Sequence, residues 1–591
     1  MSEPARSVRP SLAGRPLAWF RTRFRASEIW FIGLAVVAGG MAGLLTVFQS
    51  LIAHGLQTRL FGFNEADRLS ALPHVQIGAL LWLPVGGLLL GLFLWALARW
   101  RPRPLVDVVE ANALYGGRLS LRDSLIVCAQ TLLSNGFGAS VGLEAAYAQA
   151  AGATASLLGQ RLNLRRQDLR TLVGAGAGAA IGAAFGAPLT GAFYAFEIVI
   201  GSYAPSMIAP VAAAALASVL TARVLGAAPY SIEIAVVSPP AALDFLLYGG
   251  LGAVCAVVGV VIMQLVDHTD RAIRKVNPPI WARPALGGVM LAGLAALSPQ
   301  TLSSGHGALH LDLAAKLSLE VLTGLLVLKL AGSIISLGFG FRGGLFFASL
   351  FLGSLLSQIY AGLIALTGLP VTLAPENAAL VGMGALAVAV VGGPLTMSFL
   401  VLETTRDFGI AAATLAASLI ASTLVRERFG YSFSTWRLHL RGETIRSARD
   451  VGWVRQLTAG RMMRPDTASV VDTTTIAEFR RRFPLGSATR VIVVDLDQHY
   501  VGIVQTANAY VEGHDADAPV GSLASGREVS LPPDANIAQV MQVFEQTETE
   551  ELAVVGSDRK VLGLLAEAYV SRRYAKELEK IQQDLFGERR A

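Results

Sequence analysis

Glu144 is a carboxylate set among small residues, Gly136-Phe137-Gly138-Ala139-Ser140-Val141-Gly142-Leu143-Glu144-Ala145-Ala146, inside a long apolar region. Glycines ahead of it let the backbone bend and expose amides, and Ala145 onward reads as the start of a helix. A helix N-terminus carries unpaired N–H groups and partial positive charge, so at membrane depth it can attract an anion. An ionisable residue at that depth is a functional candidate by default. A glycine-rich helix-packing seam around a paired glutamate would use the same residue types. Gly138-Ala139-Ser140-Val141-Gly142 also spells GxSxG, the nucleophile elbow of serine hydrolases. An elbow needs a preceding strand and a histidine partner, whereas these flanks are membrane-type, so an intramembrane hydrolase at Ser140 is the lesser alternative.

A second copy separates these readings. Gly338-Phe339-Gly340-Phe341-Arg342-Gly343-Gly344-Leu345-Phe346-Phe347-Ala348 repeats the first stretch at an offset of 202, with Phe346 in the place of Glu144. Gly186-Ala187-Pro188-Leu189-Thr190, ending at Glu197, recurs as Gly392-Gly393-Pro394-Leu395-Thr396, ending at Glu403, at an offset of 206. Two motif pairs at nearly one spacing identify an internal duplication. Duplicated halves with glycine- or proline-broken apolar segments at matching positions point to a transport site near the bilayer midplane. Irregular backbone is tolerated at that depth only where protein buries it or water lines it.

The elements that must position these residues follow from composition. Of 591 residues 53% are hydrophobic and 15% charged, the pattern of a polytopic membrane protein with room for a smaller soluble domain. The formal charge of +6 fits cytoplasmic loop bias rather than nucleic-acid binding. Cys128 and Cys255 sit in apolar segments, so neither a disulfide frame nor a metal site is implied. Residues 1–27 form a basic N-terminus, with Arg6, Arg9, Arg15, Arg21, Arg23 and Arg25 against Glu3. Long spans are expected at about 29–53, 75–99, 244–266 and 285–297, with short broken segments at about 122–225 and 318–424. Residues 28–230 make the first repeat and 240–426 the second, with 427–455 a basic linker. Arginines in the connecting loops put both termini on the cytoplasmic side, the inner membrane in a bacterium. Residues 456–575 read as two β-α-β modules, 456–518 and 519–575, followed by a charged tail at 576–591.

At Gly138–Glu144 the sequence resembles the gate segment of the CLC family of chloride channels and chloride/proton exchangers. Gly343-Gly344-Leu345-Phe346-Phe347-Ala348 is similar to that family's GGxFxP segment. The Pro-Leu-Thr…Glu pair resembles two of its helices, and the C-terminal repeat resembles the CBS pair many members carry. The resemblance covers about residues 28–575. It implies an all-α membrane domain of inverted repeats plus an α/β CBS pair. It also implies a homodimer with one anion path per subunit, chloride by default, gated by Glu144. Backbone amides of Gly142, Leu143, Ala145, Gly344, Leu345, Phe346 and Phe347 would bind the anion. A carboxylate and a halide compete for one such site, since like charges exclude each other.

Departures from the family pattern carry their own expectations. Counting back from Glu144 at family spacing puts Arg103 where the family has a serine in the anion path. The inner tyrosine falls at Ser434, and the prolines after Glu144 and Phe346 are absent. Glu197 is followed by Ile198, where many exchangers carry a second acid that accepts a proton. A buried isoleucine cannot relay one, so channel-like or weakly coupled permeation is expected over strict antiport; fluoride, nitrate or bicarbonate are alternative anions. Glu197 and Glu403 are expected to be structural partners at helix ends, with a proton-path role as the alternative. Lys329 and Arg342 add positive charge near the second copy or pair with acids. In the CBS-like pair, Thr506 and Asn508 stand where an adenine-nucleotide ribose contact would lie, without its acid; a structural clamp is the stronger expectation. No other cofactor is implied, and no enzyme activity.

Overall fold

The computed structural model describes residues 27–101, 103–227, 239–315, 317–368, 373–433, 435–436, 457–465, 467–527, 529–547 and 549–573. The basic N-terminus up to residue 26, the linker residues 437–455 and the tail beyond 573 lie outside the described residues. The chain divides into two compact units, Met1–Asp450 and Val451–Ala591.

Unit one is helical, and its second half repeats the first helix by helix. The first half runs α1 (Glu28–Phe61), α2 (Trp82–Trp100), α3 (Val108–Leu114), α4 (Leu121–Gly136), α5 (Glu144–Arg161), α6 (Arg166–Phe185), α7 (Pro188–Tyr194) and α8 (Pro205–Val224). The second runs α9 (Asp244–Val276), α10 (Arg283–Leu297), α11 (His306–Ala314), α12 (Leu319–Gly338), α13 (Phe346–Leu366), α14 (Pro375–Val391), α15 (Pro394–Thr405) and α16 (Phe408–Arg428). Equivalent starts share their chemistry. Ser120 caps α4 by accepting from Asp123 N, Ser318 caps α12 by accepting from Val321 N, and α7 and α15 both open on proline.

Among the described residues, seven helices are long and apolar enough to cross a bilayer. With 34 and 33 residues, α1 and α9 are about 50 Å long at 1.5 Å per residue, so they cross a core of about 30 Å tilted or overhanging it. Val37, Leu44, Phe48 and Leu51 on α1 are exposed, as lipid-facing residues would be. By contrast α6 and α14 are buried along nearly their whole length. Their runs of Gly, Ala and Val allow neighbouring backbones to close in on every side.

The halves also meet reciprocally. A Cβ on Gly87 of α2 would overlap the Pro284 carbonyl of α10, and one on Gly288 of α10 would overlap the Leu83 carbonyl of α2. Equivalent residues that approach each other's helix this way lie across a two-fold axis relating the repeats. This is the inverted-repeat fold expected above.

Unit two holds two modules. The first has β1 (Ser469–Val471) parallel to β2 (Arg490–Val494), which pairs antiparallel with β3 (Tyr500–Gln505). The second has β4 (Glu551–Val555) antiparallel to β5 (Val561–Ala566), with Leu531 bridging Val554 in parallel where a strand equivalent to β1 is expected. Each hairpin shifts register at the same place, beside Val494 and Val555. Ile492, Val494, Ile503, Ala553, Val555 and Leu564 pack into one cluster that joins the modules. A helix accompanies each, α17 (Ile476–Arg482) and α18 (Ile537–Thr547).

Gly87→Leu and Gly288→Leu should each force α2 and α10 apart, at a cost of about 1–3 kcal/mol. Thermal unfolding of the purified protein should show both variants melting below wild type by similar amounts, because the two positions are symmetry equivalents. A melting temperature unchanged in both would contradict the close crossing.

Candidate functional site

The two glycine-rich stretches meet. Gly142 N donates to Gly344 O at 2.9 Å, and Gly344 N returns a hydrogen bond to Gly142 O at 3.1 Å. Each stretch leaves its preceding helix through a glycine in the left-handed region, Gly138 at φ +88° and Gly340 at φ +96°. Side chains strongly disfavour that conformation, and it turns the chain back toward the axis. The reciprocal pair then brings the starts of α5 and α13 together, each with first-turn N–H groups that no intrahelical carbonyl satisfies.

This geometry corrects the expected amide set. The N–H of Gly142 and that of Gly344 each donate to the other residue's carbonyl oxygen, so they are not open to an anion. The amides of Leu143, Ala145, Leu345, Phe346 and Phe347 belong to the helix starts on either side of the bridge. Leu143 lines a cavity on one side, while Ala145, Leu345 and Phe346 line one on the other.

Glu144 sits at the junction. Its side chain is buried, its Oε2 has no hydrogen-bond partner, and a Cβ on Gly142 would overlap its carboxylate. A Cβ on Gly344 would lie 3.3 Å from the same oxygen. A Cβ at position 142 would displace the carboxylate, whereas one at 344 would only crowd it. Its counterpart Phe346 packs on Phe185 and Tyr194, with ring centroids 5.3 and 6.1 Å away.

Three cavities surround this point. One of about 500 Å³ is lined by Glu144, Tyr147, Arg68, His306 and His310 among others. A smaller one of about 110 Å³ is lined by Glu144, Asp107, Glu110, Tyr194, Arg342, Phe346 and Phe433. A third of about 400 Å³ is lined by Glu197, Ile198, Gly393, Arg426 and Tyr431. Glu144 belongs to the first two, and Val109 and Val391 belong to the second and third. The cavities therefore follow one another with Glu144 as the shared wall between the first pair.

Arg103 is not part of this arrangement. It is exposed in the turn after α2 and lines none of the three cavities. The residue on the cavity wall is Asp107, at the N-cap of α3, four positions further on. Counting at a fixed spacing fails because the link between α3 and Glu144 need not keep one length; an Asp directly before Val-Val-Glu is the helix-start signal that would have found it. Ser434 lies outside the described residues, and its neighbour Phe433 lines the small cavity.

Glu197 and Glu403 make a second reciprocal pair. Glu403 accepts from Leu189 N and Thr190 N, both at 2.8 Å, and from Thr190 Oγ1 at 2.7 Å. Glu197 accepts from Leu395 N at 3.2 Å, Thr396 N at 2.8 Å and Thr396 Oγ1 at 2.7 Å. Each half thus caps the Pro-Leu-Thr helix of the other with a carboxylate, where the helix end is partly positive. Ile198, next to Glu197, faces the third cavity.

Ser140 is fully buried; its N donates to Ser336 Oγ at 2.9 Å and its Oγ pairs with Ser333 Oγ at 3.3 Å. That contact is a serine seam between the repeats and not the imidazole partnership a nucleophile needs. Lys329 is buried, and its Nζ donates to Ser303 O at 2.7 Å and Thr301 O at 3.4 Å. It therefore ties down the loop after α10.

In unit two, Thr506 is buried while Asn508 is exposed, on the single turn that follows β3. A cavity of about 350 Å³ in that unit is lined by Arg527, Arg559, Tyr500 and Ser530, and neither Thr506 nor Asn508 lines it. The β2–β3 turn gathers Asp495, Asp497 and His499. Asp495 Oδ1 accepts from Asp497 N at 2.9 Å and His499 N at 2.8 Å. The His499 amide, first among these partners, holds the Asp495 carboxyl below its ordinary range.

The chain has relatives among known proteins. Residues 92–426 match the family model described as voltage gated chloride channel. A chloride channel protein of ClcB-like type from Ralstonia nicotianae is 31% identical over 423 residues, 67% of this chain and 97% of that protein. A slow cyanobacterial Cl⁻/H⁺ antiporter shares the fold at TM-score 0.60 and 22% identity, over 70% of this chain and 97% of its own. A eukaryotic CLC transporter does so at TM-score 0.58 and 17% identity, over 93% of this chain and 98% of its own.

Glu197→Gln and Glu403→Gln should each turn an amide N–H₂ toward backbone donors and cost about 1–3 kcal/mol. Differential scanning of the purified protein should show similar destabilisation for both. Wild-type stability in either would mean that its cap does not hold the Pro-Leu-Thr helix.

Proposed function

The chain belongs to the voltage-gated chloride channel (CLC) family, and we propose that it conducts small anions, chloride by default, along the path Glu144 divides. The observation that carries the reading is the position of Glu144 as common wall of two cavities, at the meeting of two helix N-termini. In low dielectric a carboxylate on that seat competes with an anion for the same partial positive charge. Protonation, or displacement by an arriving anion, lets the carboxylate swing out and joins the cavities. The path needs no metal or cofactor chemistry; its work is to replace the hydration shell with oriented amides.

Permeation is channel-like or weakly proton-coupled. Support for this comes from Ile198 on the wall of the third cavity, beside a Glu197 already engaged by three donors. An isoleucine offers no site for a proton in transit. Each subunit of a homodimer carries its own path, and both termini lie on the cytoplasmic side, following the arginine-rich loops. Unit two acts as a soluble clamp of CBS type, with adenine nucleotide as a ligand to be tested.

In proteoliposomes, Glu144→Ala or Glu144→Gln should raise chloride flux severalfold or abolish its pH dependence, and unchanged flux would sink the gate. Gly142→Ala should mimic these variants, because its methyl group takes the space of the carboxylate. Ser140→Ala should conduct as wild type. A chloride gradient should drive little proton movement; uptake at fixed stoichiometry would establish antiport. The same flux assay with fluoride, nitrate and bicarbonate ranks the anions.

A further inference from the structure

The small cavity next to Glu144 has a cation, Arg342, on its wall. Arg342 reaches it from the stretch before α13, anchored by Arg342 N on Ser134 Oγ at 3.0 Å and by Nη1 on Gln130 Oε1 at 3.4 Å. Its Nη2 forms an ion pair with Asp107 Oδ1. Asp107 is the N-cap of α3, so the pair ties the first repeat to the second across the cavity wall.

The duplication supplies an internal control. At the offset of 202, the position equivalent to Arg342 is Ser140, which is buried in the serine seam. The N-cap of α11, equivalent to that of α3, is Gly305. One half builds the same turn with Gly and Ser, the other with Asp and Arg. The charges are therefore a departure imposed on the fold at one place, and that place opens on the cavity shared with Glu144.

Nor is the pair sealed away. The Arg342 side chain is 16% exposed and that of Asp107 35%. A guanidinium offers five donors; here Nη2 engages Asp107 and Nη1 reaches Gln130 only at 3.4 Å, so a small anion in the cavity can compete for it.

We propose that Arg342 forms a second, side-chain anion site in series with the Glu144 seat, and that Asp107 is the tethered carboxylate a passing anion displaces from it. The reaction is an exchange of one anion for another on the guanidinium, with no bond made or broken. The site rests on the anion path proposed above and adds a second plug to it. Glu110 lines the same cavity.

The test is calorimetric titration of the purified full-length protein with chloride and bromide, in wild-type and Glu144→Ala backgrounds. Asp107→Asn leaves the guanidinium without its tethered competitor and should tighten anion binding by about tenfold. Arg342→Gln should remove that gain, so that Asp107→Asn/Arg342→Gln binds as Arg342→Gln alone, while Arg342→Lys should keep part of it. Unaltered affinity in Asp107→Asn, or a gain that survives Arg342→Gln, overturns the proposal and leaves the pair a structural tie. Should Asp107→Asn fail to fold, Arg342→Gln decides alone: fewer or weaker bound anions support the site, and wild-type binding overturns it. The Glu144→Ala background separates the readings. No effect of that substitution on flux counts against the gate, whatever Asp107→Asn does to binding.

Discussion

Two hydrogen bonds between Gly142 and Gly344 hold the functional centre together. They join two chain breaks from opposite halves of the sequence, and in doing so they set α5 and α13 start to start. A helix N-terminus in the membrane is costly unless its amides find a partner. Bringing two such ends together concentrates helix-start donors at one point, beside the Glu144 carboxylate. Glu144 lies beside that bridge in the space that Gly142, having no side chain, leaves open.

The rest of unit one serves this junction by symmetry. The glycine-to-carbonyl crossing of α2 and α10, the serine caps of α4 and α12, and the exchange of Glu197 and Glu403 between Pro-Leu-Thr helices are each made twice. A two-fold arrangement lets two halves stabilise each other with contacts that neither could make alone. It also makes the exceptions informative. Glu144 faces Phe346, Arg342 faces Ser140, and Asp107 faces Gly305 across the axis. Glu144, Arg342 and Asp107 all line the same small cavity.

The duplication was readable in the sequence because it is a matter of residue order. Its repeated Gly-Phe-Gly and Pro-Leu-Thr motifs, the long spans and the basic loops are local patterns, and among the described residues eight helices of one half have counterparts in the other. The strand–helix–strand order of the C-terminal segment was equally local, whereas the register shift in each hairpin was not read from it. Less of the site was legible. Fixed-spacing counting chose Arg103 where the wall holds Asp107. Loops vary in length without changing the elements they join, so spacing carries across them poorly.

What the sequence settled by itself was the membrane class, the repeat and the carboxylate at its break, since apolar runs, glycines and ionisable residues act within a few positions of themselves. What the tertiary structure alone decided was which amides remain open, which cavity each charge faces and which acid meets which helix. Gly142 and Gly344 are 202 residues apart, as are Ser140 and Arg342. Whether two such residues share a hydrogen bond or stand as opposites across an axis depends on how the halves fold onto each other, and no local pattern encodes that.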